Sequence, residues 1–173
     1  MSFRILAFCG SLRRLSMNAA LLRATARVAP PGIAVEPFPL GTLPLFNPDL
    51  ETQLPAPVAR LHEAVQGSAA LLIASPEYAH GITGNLKNAL DWLVSFEGFV
   101  GKPVAIFNAS PRSVHADAAL REILTTMSAS LVESACLALP LRGLNLTDDA
   151  MAAAHAEPIR AALARLAAYE APA

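Results

Sequence analysis

Residues 10–18 have the types and spacing of a phosphate-binding loop. The segment reads GSLRRLSMN and supplies hydroxyl donors at Ser11 and Ser16 and an amide donor at Asn18. A helical pattern begins at Met17, so the first free backbone N–H groups and the positive end of the helix dipole point the same way. Each hydrogen bond to a charged phosphate contributes about 1.5–3 kcal/mol, so four or five would hold a monophosphate without a metal or a lysine.

Other phosphate-binding motifs differ from this segment in spacing. A dinucleotide fingerprint needs three glycines in G-x-G-x-x-G, and only Gly10 is present, where it allows a sharp turn after a strand. A Walker loop needs G-K-[ST], which is missing. A low-molecular-weight phosphatase with Cys9 as nucleophile would need an arginine six positions later, where Leu15 stands, with Arg14 one residue early. That phosphatase, and a solvated loop in which Ser16 only caps the helix, stay open from this segment alone.

Residues 75–92 have features that suit a flat heterocyclic ligand. They read SPEYAHGITGNLKNALDW, in which Pro76 stiffens the exit from an apolar run and Gly81 and Gly84 let the backbone approach a ligand. Such a ligand needs a row of backbone N–H and C=O groups along its polar edge and an apolar or aromatic plane beside it. The row is expected from three consecutive residues, of which the tyrosine also offers the plane: Glu77, Tyr78 and Ala79.

The remaining candidates for chemistry have simpler explanations. Three histidines lack partners at metal-ligand spacing, so no metal site is predicted: His62, His115 and His155. His80 is expected to be a solvated loop residue near the substrate mouth, and Trp92 a core or interface residue. Cys9 and Cys136 lie in apolar stretches and are expected to be reduced, buried thiols. Because no paired-carboxylate, Ser/His/Asp or Cys/His set has a useful spacing, we expect no catalytic side chain.

Apolar runs bounded by turn residues alternate with helical patterns, which predicts an α/β fold of βαβ units around a parallel sheet. Five strands are expected at residues 3–9, 33–38, 69–75, 103–108 and 131–139. Helices are expected at residues 17–28, 57–65, 84–94 and 116–128, with a last one capped by Thr147 and kinked by Pro158. Residues 39–57 contain five prolines and are predicted to form a long loop, of the kind that is often functional.

The predicted topology brings the polar segments together. In a doubly wound sheet, ligands bind beyond the carboxyl ends of the strands, where the strand order reverses. The turns after strands 1, 3 and 4 are therefore expected to meet at one edge of the sheet. They are the two segments described above and NASPRS at residues 108–113.

Composition favours one domain without a charged partner. The 173 residues predict a single domain over residues 1–173, since domains average roughly 100–200 residues. Apolar residues make up 54% and charged residues 16%, an imbalance that a covered sheet and a subunit interface would hide. The net charge of −1 provides no field to attract nucleic acid or an anionic membrane, so neither is expected as a partner. The first apolar run is too short for a signal peptide, so a cytoplasmic location is expected.

The two polar segments together resemble the NADPH-dependent FMN reductase family, the group of flavodoxin-like quinone, azo and chromate reductases. The family pattern G-S-L-R-x-x-S-x-N is unbroken at residues 10–18, and P-E-Y followed by L-K-N-A-[LI]-D-W is present within residues 76–92. The resemblance implies a flavodoxin-like three-layer sandwich with a five-stranded parallel sheet of order 2-1-3-4-5. It also implies hydride transfer from NADPH or NADH to bound FMN, and electron delivery to a small acceptor such as a quinone, an azo compound, a metal oxyanion or free flavin.

The resemblance further implies roles for individual residues. The FMN phosphate would be held by residues of the first segment: Ser11, Arg13, Ser16, Met17 and Asn18. The isoalloxazine ring would be lined by residues after the third and fourth strands: Pro76, Glu77, Tyr78, Ala79, Ala109 and Ser110. The chain departs from the family at two places, because Ala79 replaces a frequent asparagine and NASPRSVHAD replaces a glycine-rich turn. The family relation implies a homodimer or homotetramer, and a non-enzymatic flavin electron carrier or redox sensor stays open as an alternative.

Overall fold

The computed structural model describes residues 2–110, 112–141 and 147–170 and contains a parallel β-sheet built on the predicted apolar runs. Its strands are β1 (Phe3–Cys9), β2 (Ile33–Phe38), β3 (Ala70–Ala74), β4 (Pro103–Asn108), β5 (Ser130–Leu131) and β6 (Leu137–Ala138). The strand pairs are parallel, and the order β2-β1-β3-β4-β5 confirms the order that the resemblance implied. Every residue of β3 is buried, as its continuous apolar sequence predicted.

In the described part of the chain, five α-helices cover the two faces of the sheet: α1 (Met17–Val28), α2 (Ala56–Gln66), α3 (Gly84–Asp91), α4 (Val114–Thr126) and α5 (Asp148–Ala167). Side chains alternate along each strand and so divide the core in two. On one face α1 and α5 pack against residues such as Leu72 and Phe107. On the other face α2, α3 and α4 pack against residues such as Ile73 and Ile106. The fold is therefore a flavodoxin-like three-layer sandwich.

The prediction of one strand over residues 131–139 is wrong. The chain there forms two short strands, β5 and β6, separated by a 3-10 turn at Glu133–Ala135. β5 pairs with the start of β4 and β6 with its end, so the chain leaves the sheet between them. The sulfur of Cys136 accepts a hydrogen bond from the Ile106 amide at 3.4 Å. The sulfur thus takes the place of the backbone carbonyl that a continuous fifth strand would have offered to the Ile106 amide in β4.

Most of residues 39–57 form the predicted loop. The loop contains two short 3-10 turns, Leu40–Thr42 and Pro48–Leu50, before α2 begins. It is anchored on α3 because the Pro44 carbonyl accepts hydrogen bonds from Trp92 Nε1 and Asn88 Nδ2, both at 2.9 Å. Trp92 is 1% exposed, which confirms its prediction as a core residue.

The last helix begins and kinks as the sequence predicted. The Thr147 hydroxyl caps α5 by accepting a hydrogen bond from the Ala150 amide at 3.2 Å. The helix departs from helical geometry at His155, where φ is −125° and ψ is 15°, three residues before Pro158. Proline has no N–H to donate to the preceding turn, and its ring crowds that turn, so the backbone bends there. None of the helices that the structure describes is both long enough and apolar enough to cross a membrane.

Candidate functional site

The turns after β1, β3 and β4 meet at the carboxyl edge of the sheet, as predicted, and enclose a cavity of about 230 Å³ that we call the edge cavity. All three turns line it: Met17, Asn18, Ser75, Pro76, Glu77, Ala109, Ser110 and Ser113. Ser75 and Ser113 have no role in the sequence prediction. The signal that marks them is position, because Ser75 directly follows β3 and Ser113 directly precedes α4.

The turn after β1 places two unpaired backbone donors at the edge cavity. The Ser16 hydroxyl accepts a hydrogen bond from the Ala19 amide at 3.2 Å, and the Ser16 carbonyl accepts one from the Ala20 amide at 2.9 Å. The Met17 and Asn18 amides come just before these donors and have no partner among the described residues. Free amides at a helix N-terminus are suited to bind anions, so these two amides are the part of the predicted phosphate site that is left unpaired, whereas the Ser16 hydroxyl caps α1.

The structure separates Ser11 and Arg13 from the edge cavity. Ser11 is buried, and its hydroxyl accepts a hydrogen bond from the Arg13 amide at 3.3 Å, which closes the turn. The Arg13 side chain lines a second cavity of about 570 Å³, together with Arg14 and Ser16. Met17 lines both cavities, so the positive charges lie next to the start of α1 and outside the edge cavity.

Gly10 is needed for close packing. Its amide donates a hydrogen bond to the Ala74 carbonyl at 2.9 Å, and a Cβ at position 10 would overlap the Ser75 side chain. The backbone of Gly10 does not have a left-handed φ. The reason for glycine is therefore the approach of the ends of β1 and β3, and not the sharp turn that the sequence suggested.

The turn after β3 is a tight two-residue hairpin with unusual residues at its centre. The Tyr78 amide donates to the Gly81 carbonyl at 3.1 Å, and the Gly81 amide donates to the Tyr78 carbonyl at 3.0 Å. Ala79 and His80 both have left-handed φ values, 48° and 57°, in a turn type that favours Asn-Gly. The Tyr78 amide is already paired, and Tyr78, which is 56% exposed, is not among the residues that line the edge cavity, so a role for it would have to come from its ring.

The turn after β4 is held by hydrogen bonds of its own. Asn108 Oδ1 accepts from the Ser110 amide at 2.9 Å, and the Ser110 carbonyl accepts from the Ser113 amide at 3.0 Å. The Ala109 carbonyl accepts from the Leu141 amide at 3.3 Å. These hydrogen bonds hold the turn in one conformation, in which it forms one wall of the edge cavity. Pro111, which belongs to the same turn, lies outside the described residues.

The edge cavity contains a buried polar atom without a protein partner. Asn18 is 7% exposed, and its Oδ1 accepts no hydrogen bond from any described residue. A buried polar atom without a partner is destabilising by about 1–3 kcal/mol, so a ligand hydroxyl at this position would explain it. A phosphate at the Met17 amide, a hydroxylated chain at Asn18 and a flat ring between the other two turns together describe FMN. The residues present therefore fit this cofactor.

The structure does not favour a thiol nucleophile or a metal centre at this edge. Burial raises the pKa of the Cys9 thiol, whereas a phosphatase needs a cysteine with a lowered pKa. The Cys9 sulfur donates a hydrogen bond to the Ser11 carbonyl at 3.4 Å. Among residues 2–110, 112–141 and 147–170, no group of three or more His, Cys, Asp or Glu side chains is arranged to hold a metal ion.

Fold and site together define a flavodoxin-like α/β protein with a cavity at one sheet edge, into which three turns and the start of α1 converge. The chain belongs to the NADPH-dependent FMN reductase family, whose model matches residues 3–142. This confirms the relation that the two sequence motifs indicated.

Individual relatives support the same family. An NAD(P)H-dependent FMN reductase of Pseudomonas aeruginosa is 39% identical over 110 residues, which cover 62% of this chain and 60% of the relative. A quinone reductase of Escherichia coli is 33% identical over 112 residues, which cover 62% of this chain and 60% of the relative. The chain spans about 60% of the length of these curated relatives.

Solved structures extend the similarity over nearly the whole chain. A flavoenzyme NAD(P)H:(acceptor) oxidoreductase of Paracoccus denitrificans has a TM-score of 0.81 at 25% identity, over 95% of this chain and 97% of that chain. An NADH:FMN oxidoreductase in its apo form has a TM-score of 0.64 at 26% identity, over 99% of this chain and 92% of that chain.

Proposed function

We propose that this protein is an FMN-dependent NAD(P)H oxidoreductase that passes electrons from a nicotinamide through bound FMN to a small acceptor. The edge cavity carries the proposal, because it brings the free amides of Met17 and Asn18 and the buried Asn18 Oδ1 together with residues of the turns after β3 and β4. Relatives named FMN reductase and quinone reductase support free flavin and quinones as acceptors. Azo compounds and metal oxyanions are further candidates.

In this proposal two groups of residues hold the cofactor. The phosphate and the chain attached to it lie at the turn after β1: Ser11, Arg13, Ser16, Met17 and Asn18. The ring lies between the turns after β3 and β4: Pro76, Glu77, Tyr78, Ala79, Ala109 and Ser110. When bound, FMN supplies the redox chemistry by taking a hydride from the nicotinamide and giving electrons to the acceptor.

The chain contributes binding and orientation. Amides at the start of α1 neutralise the phosphate together with the nearby charges of Arg13 and Arg14. The turns after β3 and β4 are each closed by hydrogen bonds of their own without a ligand, which lowers the ordering that binding requires. Tyr78 is exposed, and in this proposal its ring borders the side of the flavin at which donor and acceptor bind in turn.

We further propose one domain over residues 1–173, a cytoplasmic location, and a homodimer or homotetramer without a nucleic-acid or membrane partner. The apolar share of 54% and the exposed large apolar side chains support an oligomer, because a subunit interface would remove this surface from water. The exposed side chains come from several segments and include Leu12, Leu15, Leu45, Tyr78 and Val114.

The visible absorbance spectrum of the purified protein tests the proposed function. We expect a flavin spectrum, release of FMN on heating, and oxidation of NADPH or NADH when a quinone is added. Asn18→Ala should raise the dissociation constant for FMN by about tenfold, as expected for the loss of one buried hydrogen bond. Gln53→Ala removes an exposed amide in the loop of residues 39–57 and should leave that constant unchanged.

Two results would change the conclusion. A colourless protein that stays colourless with excess riboflavin phosphate contradicts the proposed function. Tightly bound FMN without NAD(P)H oxidation by any quinone would instead indicate an electron carrier or redox sensor.

A further inference from the structure

The side chain of Glu77 caps a helix that lies 39 residues later in the chain. Glu77 Oε2 accepts a hydrogen bond from the Ala116 amide, in the first turn of α4, at 2.9 Å. The residue at the usual cap position, Ser113, makes no side-chain capping bond. A carboxylate at this end of a helix is stabilised by the helix dipole, so Glu77 does the work of the missing cap.

A second contact joins the same two segments. The imidazole of His80 stacks on that of His115, with ring centroids 4.3 Å apart and an interplanar angle of 16°. His115 also lies in the first turn of α4, next to Ala116. The turn after β3 is thus fixed to α4 on both sides of Tyr78. We call the contacts of Glu77 with Ala116 and of His80 with His115 the α4 clamp.

The α4 clamp acts on a strained piece of backbone. Ala79 and His80 have left-handed φ values, which residues with a Cβ adopt only when surrounding contacts require it. The hairpin bonds between Tyr78 and Gly81 hold the turn closed, but they do not fix its position relative to the turn after β4. Among the described contacts, those of the α4 clamp fix the position of the turn relative to α4 and to the turn that precedes it.

We propose that Glu77 is a positioning residue that holds the turn after β3 against α4 and places a negative charge at the flavin ring. This inference rests on the proposed function and extends it to a side chain. Glu77 lines the edge cavity together with Ser110 and Ser113, so its carboxylate, hydrogen-bonded to the Ala116 amide, lies within one side-chain length of the space in which the ring would lie. A carboxylate there opposes the negative charge that the ring gains on reduction, and thus lowers the midpoint potential of bound FMN.

Two substitutions separate the effect of the Glu77 hydrogen bond from the effect of its negative charge. Glu77→Gln keeps an oxygen that can accept from the Ala116 amide but removes the charge, whereas Glu77→Ala removes both. Glu122→Gln is the matched control, because Glu122 is exposed on the same helix, away from the edge cavity.

Amide hydrogen exchange at Ala116, followed by NMR in the protein without FMN, tests the contact itself. We expect exchange in Glu77→Ala to be roughly tenfold to hundredfold faster than in the wild type, as for a lost hydrogen bond to a charged group. Glu77→Gln should stay within about tenfold of the wild type, because a neutral bond is weaker but present.

FMN titration and potentiometry then test the role. Glu77→Ala should raise the dissociation constant for FMN by roughly tenfold, and Glu77→Gln should restore most of the affinity. The midpoint potential of bound FMN should be more positive in Glu77→Gln than in the wild type and unchanged in Glu122→Gln, a shift that loss of folding alone would not produce.

The outcomes are distinct. Unchanged exchange at Ala116 in Glu77→Ala overturns the inference, and so do unchanged FMN affinity and potential in both Glu77 variants. Failure of the wild type to bind FMN overturns the proposed function and the inference with it, whereas normal wild-type binding with no effect of the variants overturns the inference alone.

Discussion

Gly10 and Ser75 approach each other so closely that a Cβ on Gly10 would lie 2.1 Å from Oγ and 2.6 Å from Cβ of Ser75. We expect Gly10→Ala to lower the free energy of unfolding by about 1–3 kcal/mol, because over-packing pushes apart the ends of β1 and β3. Urea denaturation of the protein without FMN measures the change.

Two further variants test this explanation. Ser75→Gly removes the side chain that the new methyl group meets, so the double variant should regain part of the lost stability. Gly84 begins α3 and has open space at its Cβ position, so Gly84→Ala should be neutral or stabilising by about 0.5–1 kcal/mol. Equal losses for Gly10→Ala and Gly84→Ala would contradict a steric role for Gly10.

The left-handed backbone at Ala79 predicts a gain of stability from glycine. Ala79 has a φ of 48°, which glycine adopts without the steric penalty of roughly 1–2 kcal/mol that a Cβ brings. Glycine also makes the unfolded chain more flexible, so we expect Ala79→Gly to stabilise the fold by a net ~0.5–1 kcal/mol in thermal unfolding. The exposed helical residue Ala118 is the control, since Ala118→Gly should destabilise by about 1 kcal/mol. A loss of stability in both variants would mean that Ala79 is not strained.

Tyr78 and His80 lie on the same hairpin, yet the site predicts different effects for them. Tyr78 is 56% exposed, and in the proposed function its ring covers the flavin, whereas the His80 ring is stacked on His115. We expect Tyr78→Ala to weaken FMN retention more than His80→Ala does, because stacking on an aromatic plane contributes about 0.5–1.5 kcal/mol beyond the buried area. Tyr78→Phe should retain the cofactor. Equal FMN occupancy of purified Tyr78→Ala and His80→Ala would count against the ring site.

The sequence predicted correctly those helices and strands whose bounds are set by residues close together in the chain. β1, β2, β4 and α1 have the predicted bounds because their apolar runs or helical patterns end abruptly at polar or turn-forming residues. Thr147 was identifiable as a cap since its hydroxyl reaches an amide only three residues later. The two motifs also placed the turns that line the edge cavity.

Features that depend on contacts between residues far apart in the chain could not be predicted from such local patterns. The split of the fifth strand is accompanied by a bond from the Ile106 amide to the Cys136 sulfur, between residues 30 positions apart in the chain. The role of the Glu77 side chain depends on Ala116, which has no donor or charge in its side chain to mark it. The reason for Gly10 lies in Ser75, which becomes its neighbour only after β1 and β3 pair.

Cys9 is half-buried, and its raised pKa predicts a thiol that reacts slowly. Because burial raises the pKa of Cys9, its thiol should react slowly with an aromatic disulfide reagent at pH 7 and faster only above the ordinary thiol range near pH 9.0. Cys9→Ser should keep FMN binding and NAD(P)H oxidation within about threefold of the wild type, since no electron transfer passes through the sulfur. Phosphomonoester hydrolysis by the wild type that Cys9→Ser abolishes would revive the phosphatase alternative.

The ion pair between Arg23 and Asp148 joins α1 to α5 and predicts a dependence of stability on pH. Arg23 donates to Asp148 through Nε at 2.6 Å and through Nη2 at 2.9 Å. The hydrogen bonds from Arg23 hold the pKa of Asp148 below its ordinary value of 3.8. A lowered pKa in the folded state means that the pair stabilises the protein above about pH 4 and that this contribution is lost as the pH falls through the folded-state pKa.

Asp148→Asn should therefore lower the free energy of unfolding by about 0.5–1 kcal/mol at pH 7, the range for a partly exposed ion pair. The difference from the wild type should shrink as the pH falls below about 4, because the Asp148 carboxylate is then protonated first in the unfolded chain and, at lower pH, in the folded protein as well. Arg23→Met in the Asp148→Asn background should cause little further loss, and Asp49→Asn, at an exposed position, serves as the charge-matched control. Urea titrations at pH 7 and pH 3 measure both effects. A difference that is as large at pH 3 as at pH 7 would show that Asp148 stabilises α5 by some means other than its charge pair with Arg23.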